Sequence, residues 1–244
     1  MSPTFIIAKR ELRANFDTAV PYVVLCLGLP VLAFFFFFYE GGFWQANRAS
    51  VESLVMFASR GIGVLASVLT MRVMAEEKRS GTLEMLITLP VKEHQVIIGK
   101  FLGTWAVVVA ALLATLLFPL MMFVWPWHLG PIDAGPVISG YIGLVLASMA
   151  TVALGMLISS LTESQMIAFF VTFLLVAILT VSGMFVNRID NEYARIAIAF
   201  ISFDARMTSF ARGLITTRDV LYFVSLTVGF LGTAFWALER RKWA

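Results

Sequence analysis

Charge is scarce in this chain. Only 14% of its 244 residues are Asp, Glu, Lys or Arg, whereas soluble domains carry about 25%. Apolar residues make up 60% and include 22 Phe, the composition of an integral membrane protein. Cysteine is scarcer still. Cys26 is the single one, which excludes an intramolecular disulfide and a cysteine zinc site. No G-x-x-x-x-G-K-[ST] phosphate loop occurs, so this chain is not expected to hydrolyse ATP itself. H-E-x-x-H, a nucleophile elbow and a cysteine pair are also missing, so no enzyme chemistry is expected. His128 has no second ligand near it in sequence, which argues against a metal.

What the chain has instead is long stretches without charge. They run from Asp17 to Glu40, Lys100 to Asp133, Asp133 to Glu163, Glu163 to Arg188 and Asp219 to Glu239. Glu52 to Arg72 is also apolar, interrupted only by Arg60. Each is close to or above the roughly 20 residues that a helix needs to cross about 30 Å of hydrocarbon. These stretches predict an all-α protein with six transmembrane helices, near 20–39, 53–74, 99–124, 137–160, 164–186 and 219–238. The runs do not alternate as barrel strands must. The first apolar run exceeds the 7–15 residues usual for a signal peptide core, so cleavage is not expected.

Six spans put both termini on one side. Lys9, Arg10, Arg13, Arg72, Lys78, Arg79, Lys92, Lys100, Arg240, Arg241 and Lys242 share that side. The positive-inside rule makes it the cytoplasm. Arg48, Arg188, Arg195, Arg206, Arg212 and Arg218 fall on the other side, five of them beside Asp190, Glu192, Asp204 and Asp219. The net charge of +3 therefore reflects membrane orientation and points to no nucleic-acid partner.

Before the first span, within residues 1–19, Phe5, Ala8, Leu12 and Phe16 recur at helical spacing, with Lys9, Arg10, Arg13 and Asp17 on other faces. This predicts an amphipathic helix in the cytoplasmic interface. Pro30 inside the first span is read as a packing kink. Arg60 is the one formal charge within a predicted span, about 12 Å along the helix from its outer end. Met56, Phe57, Gly63 and Val64 occupy i±3 and i±4, so its partner must come from another helix, water or a lipid headgroup. It either lines a substrate path or snorkels outward.

The stretch from Arg72 to Pro90 leaves the second span carrying Glu76, Glu77, Lys78, Arg79 and Glu84. Gly81 permits a turn. Thr82 caps a short helix whose Leu83, Leu86 and Ile87 form one apolar face, and Pro90 ends it. A charged elbow over 76–98 suits docking into the cleft of a cytoplasmic partner. The bland alternative is a solvated loop. Gly99 and Gly103 allow close packing at the start of the third span. Trp125 and Trp127 fit an aromatic belt. Residues 187–218 form the largest outer piece. The run 196–203 is too short to span, which suggests a re-entrant segment.

Several segments resemble the type-2 ABC exporter permeases, and among them the GldF-like, gliding-motility-type subfamily. They are residues 70–84, Gly99-Lys-Phe-Leu-Gly103, Gly140-Tyr-Ile-Gly143, Ser159-Ser-Leu-Thr162, Phe210-Ala-Arg-Gly213 and residues 218–225. The resemblance implies six spans, an amphipathic amino-terminal helix, a coupling helix after the second span and re-entrant outer helices before the sixth. On this resemblance Glu76, Glu77, Arg79, Gly81, Thr82, Leu83, Glu84, Leu86 and Ile87 couple to the ATPase. Phe210, Arg212 and Gly213 belong to the outer segment. Arg60 matches no family motif.

The partners implied are a dimeric cytoplasmic ABC ATPase, which carries the ATP and Mg, a second permease copy, and in some members an auxiliary subunit with an extracytoplasmic domain. The expectation is an inner-membrane permease with both termini in the cytoplasm. The rival reading is a non-transporting component that transmits ATPase work to an extracytoplasmic partner. A secondary transporter would place acids inside the spans, and none lies there.

Overall fold

The computed structural model describes residues 2–38, 51–81, 93–123, 133–186 and 191–240. Among these, all regular structure is helical. In chain order the helices are α1 (Pro3–Phe16), α2 (Val20–Phe38), α3 (Glu52–Thr70), α4 (Ala75–Arg79), α5 (Glu93–Thr115), α6 (Leu117–Phe123), α7 (Ala134–Leu161), α8 (Gln165–Phe185), α9 (Glu192–Ile201), α10 (Phe203–Ala211) and α11 (Thr217–Arg240). Six segments are long and apolar enough to cross a membrane: Val20–Phe38, Glu52–Arg79, His94–Met122, Ala134–Leu161, Gln165–Phe185 and Thr217–Glu239.

Helix α7 is the hub, packing against α3, α5, α8, α10 and α11. Small residues make this possible. A Cβ added at Gly140 would meet Val55, one at Gly143 would meet the Phe210 ring, and one at Gly155 would overlap the Thr70 hydroxyl. Without hydrophobic contrast between lipid and side chain, such close approach is a main source of helix association. Asp133 starts α7 by accepting a hydrogen bond from the Gly135 amide at 2.9 Å. By contrast α2 packs mainly on α3 and leaves Leu27, Val31, Phe34 and Phe38 exposed.

The third apolar run was expected as one helix from 99 to 124. It begins earlier, at Glu93, and breaks at Leu116 into α5 and α6. Pro119 accounts for the break. It has no amide proton, and its ring would strike the carbonyl of Thr115 in a continuous helix. The Thr115 hydroxyl instead donates to Leu112 O at 2.7 Å and lies 2.9 Å from the Tyr141 hydroxyl.

Helix α1 packs along the start of α5. Gly99 and Gly103 form its seat: a Cβ at either would lie under 3 Å from Ile7, Ala8 or Glu11. The face turned to the bundle is Thr4, Ile7, Ala8, Glu11, Leu12 and Asn15, while Phe5 and Phe16 are exposed. The periodicity had put Phe5, Ala8, Leu12 and Phe16 on one apolar face. That face is divided: Ala8 and Leu12 are half-buried towards α5, and the two phenylalanines flank the contact.

Two helices of ten and nine residues, α9 and α10, lie between α8 and α11. At 1.5 Å per residue neither reaches across 30 Å. Helix α9 buries nothing, whereas α10 buries Phe203, Asp204, Arg206, Met207, Phe210 and Ala211. Ser202 joins them, and its hydroxyl accepts from Ala205 N at 3.4 Å to cap α10.

Candidate functional site

Two polar clusters sit at opposite ends of the bundle. At the α1 end, α3 unwinds through residues 71–74 before α4 begins. The Met74 and Ala75 amides, freed at that break, donate to the Ser159 hydroxyl oxygen at 3.1 and 3.0 Å. Lys78 Nζ donates to the carbonyl of Ser160. The end of α7 therefore holds the elbow in place.

Lys100, on α5, brings α5 and α1 into this cluster. Its Nζ donates to Glu77 Oε1 at 2.7 Å and to Val73 O at 3.0 Å, and lies 3.5 Å from Glu11 Oε2. Lys100 is 3% exposed. Such a charge survives burial only when paired and hydrogen-bonded. One ammonium thus ties α1, the elbow and α5 together.

Helix α4 divides its four charges. Glu77 and Lys78 turn into the bundle, while Glu76 and Arg79 are exposed. Glu76 Oε2 is 3.5 Å from Arg72 Nε, a surface pair worth little by itself. Gly81, at φ +70°, turns the chain with a backbone that other residues rarely adopt. Thr82, Leu83, Glu84, Leu86 and Ile87, named for ATPase coupling, lie outside the described residues.

At the far end Arg60 has a protein partner. Its Nη2 donates to Asp204 Oδ2 of α10 at 2.8 Å, and its guanidinium sits 5.6 Å from the Phe57 ring centre. Two residues on, Arg206 Nη1 donates to Asp219 Oδ1 at 3.0 Å, and Thr216 donates to the other Asp219 oxygen at 2.7 Å. The Arg206 guanidinium lies 5.3 Å from the ring centres of both Phe200 and Tyr222. Asp204 and Arg206 point to opposite sides, so α10 is fastened to α3 on one side and α11 on the other.

Phe210, Arg212 and Gly213 finish the same strap. The Phe210 ring fills the notch at Gly143, and its carbonyl accepts from the Ser139 hydroxyl at 2.7 Å. Gly213, at φ +90°, ends α10 by bending back, with Leu214 N donating to Ser209 O at 3.0 Å. Arg212 Nε reaches Glu52 Oε1 at 3.3 Å on the surface.

The residues that sequence reasoning did not single out are Lys100, Glu11, Ser159, Asp204 and Asp219. Lys100 and Ser159 lay within motifs noted for other reasons. Their roles depend on contacts across 23 and 85 positions, which no local pattern carries. Among the described residues no group of three His, Cys, Asp or Glu side chains is placed to hold a metal ion.

Six apolar helices, with short helices strapped into one end and a charged elbow bolted at the other, are compatible with several transporter architectures. Sequence comparison decides among them. The profile of the ABC-2 family transporter proteins matches residues 40–243. This chain belongs to the ABC-2 transporter family. It is a multi-pass membrane protein of permease type.

The ABC-2 chain is 31% identical over 141 residues to proteins of Escherichia coli K12 and Escherichia coli O157:H7. Each of those is described as a probable multidrug ABC transporter permease, YbhR. The match covers 58% of this chain and 36% of each relative. The ABC-2 chain therefore spans little more than a third of the curated relatives it matches.

Proposed function

We propose that this chain is the permease subunit of an ATP-driven ABC-2 exporter of the GldF-like type, sitting in the inner membrane with both termini in the cytoplasm. ATP and Mg would be handled by separate ATPase subunits, with a second permease copy completing the path and an auxiliary extracytoplasmic subunit as a further partner. Membership of the ABC-2 family supports the permease role. The observation that carries the coupling is the elbow's anchorage. Ser159, Ser160 and Lys100 hold its base, while Glu76 and Arg79 face outward beside Gly81. A partner pushing on residues 82–88 would thus move α1, α3, α5 and α7 as a set. A partner drives such a movement only if it binds the two arrangements with different affinity.

The test is purification of the tagged chain from native membranes at low salt, assaying vanadate-sensitive ATPase in the eluate. Glu76→Arg with Glu84→Arg is expected to lose that activity, and raised salt to hasten the loss, because exposed pairs are screened. Glu77 is left intact so that Lys100 keeps its partner. Undiminished ATPase in that variant would refute docking at the elbow. A retained ATPase with no substrate movement in vesicles would favour force transmission over transport.

A further inference from the structure

Helix α1 sorts its charges by sign. Its one carboxylate, Glu11, turns into the bundle towards Lys100. Its three cations, Lys9, Arg10 and Arg13, are all exposed. Among the described residues they have no acidic partner, although Asp17 stands one turn beyond Arg13. Isolated cations on an i, i+1, i+4 pattern would normally repel one another and weaken the helix. With Asp17 the one acid in their groove, three cations leave this face with a net positive charge that attracts an anionic counterpart.

Position narrows what that counterpart is. Gly99 and Gly103 seat α1 against the first turns of the third candidate span, His94–Met122, so α1 lies beside an end of that apolar helix. Phe5 and Ile6, each 55% exposed, share a shallow groove with Lys9, Arg10, Arg13 and Asp17. Phe16 lies along the same side, exposed as well. Exposed aromatic and aliphatic groups interleaved with cations suit an interface that is greasy below and negative above. A soluble acidic protein would match the cations and leave Phe5, Ile6 and Phe16 in water.

We propose that this face of α1 is a recognition surface for anionic phospholipid headgroups, with Lys9, Arg10 and Arg13 contacting phosphates while Phe5, Ile6 and Phe16 enter the acyl boundary. The inference does not depend on transport or on an ATPase partner. Its consequence is that the lipid shell at this end of the protein is enriched in negative lipid. Because α1 is tied through Glu11 to Lys100 and the elbow, lipid charge also acts on the element proposed to receive ATPase force.

The experiment uses the full chain with Cys26→Ser and Ala14→Cys, carrying a fluorophore at position 14, in phosphatidylcholine nanodiscs. Brominated phosphatidylglycerol or brominated phosphatidylcholine is included at equal mole fraction as the quencher. Quenching by the anionic lipid is expected to be roughly threefold stronger, and to fall towards the zwitterionic value in high salt. Lys9→Gln, Arg10→Gln and Arg13→Gln together should erase the difference. These side chains are exposed, so the variant is expected to fold, and the comparison of the two lipids on the unsubstituted cations stands without it. Equal quenching by both lipids overturns the proposal. So does a preference that survives the triple substitution, or one that inorganic phosphate at about 20 mM abolishes at constant ionic strength.

Discussion

The α1 end and the far end hold their buried charges in different ways. At the α1 end one lysine serves two carboxylates and a backbone carbonyl. At the far end each arginine has its own aspartate, and the two pairs point to opposite sides of α10. A shared hub couples its elements: none of α1, the elbow or α5 can shift without altering the others' partner. Separate pairs let one side of α10 loosen while the other stays fastened. The difference makes the α1 end a unit whose elements move together, while the far end holds α10 to α3 and to α11 through separate contacts.

The largest effect expected from this contrast is at Lys100. Lys100→Met removes the cation that pairs with Glu77 and Glu11 and leaves two acids near each other in a largely buried site. Breaking a buried pair from one side costs about 3–5 kcal/mol, so this variant should unfold well below the parent in thermal melts of the purified chain. Adding Glu77→Gln and Glu11→Gln should return much of the loss, since neutral groups carry little desolvation penalty. A single Lys100→Met that melts with the parent would mean the hub holds nothing together.

The next effect concerns Arg60 and Asp204. Arg60→Met, Asp204→Asn and the double variant form a cycle whose coupling should be about 0.5–3 kcal/mol, the range for residues in contact. If the pair acts by seating α10, both single variants share one phenotype and the double variant is no worse. Arg60→Lys should then keep part of the function. Strictly additive losses would separate the two residues and return Arg60 to a path-lining role. The same cycle on Arg206 and Asp219 should give its coupling independently of the first, which is the sharper test of separate fastening.

Gly143 tests the seat of α10 without touching charge. A Cβ there would lie 2.7–2.9 Å from the base of the Phe210 ring, which cannot swing away as a flexible tip could. Gly143→Ala should cost about 1–3 kcal/mol by overpacking, and Phe210→Leu in the same chain should recover part of it. Equal stability of Gly143→Ala and the parent would show that α10 shifts freely, and the picture of a fastened strap would fail.

How far the sequence foretold these sites depends on the range of the contacts involved. Long uncharged runs announce spans because desolvation acts on each residue locally. Gly81 announces a turn for the same reason, since positive φ is a property of one residue; Gly213, also at positive φ, stands out in the sequence only within a motif. The elbow's charges were visible too, but not which of them face outward. Glu76 and Glu77 are neighbours with the same chemistry, yet Glu77 turns to Lys100, 23 positions on, while Glu76 stays at the surface beside Arg72. Arg60 shows the limit most clearly. Its local neighbours are apolar, its partner is 144 positions away, and the partner stands on a short helix outside the spans, where counting acids inside spans could not find it. The face of α1 was misjudged in part because two glycines on α5 decide which side of the helix it turns inward.

The smallest effect is expected at Arg212, just after α10 at the same end as the fastened pairs. Its side chain is 64% exposed and that of Glu52 46%. In water the attraction is screened, and ordering two long side chains opposes it, so such pairs contribute about 0–1 kcal/mol. Arg212→Ala should leave melting and activity close to the parent and should lose any small difference in high salt. Its neighbour makes the control. Gly213→Ala forces a Cβ onto a backbone at φ +90°, at a cost of about 1–2 kcal/mol, and should be visibly worse. If Arg212→Ala proves the more damaging of the two, the exposed Arg212–Glu52 pair is a third fastening, bridging α3 to the end of α10, and the far end is held as tightly as the hub around Lys100.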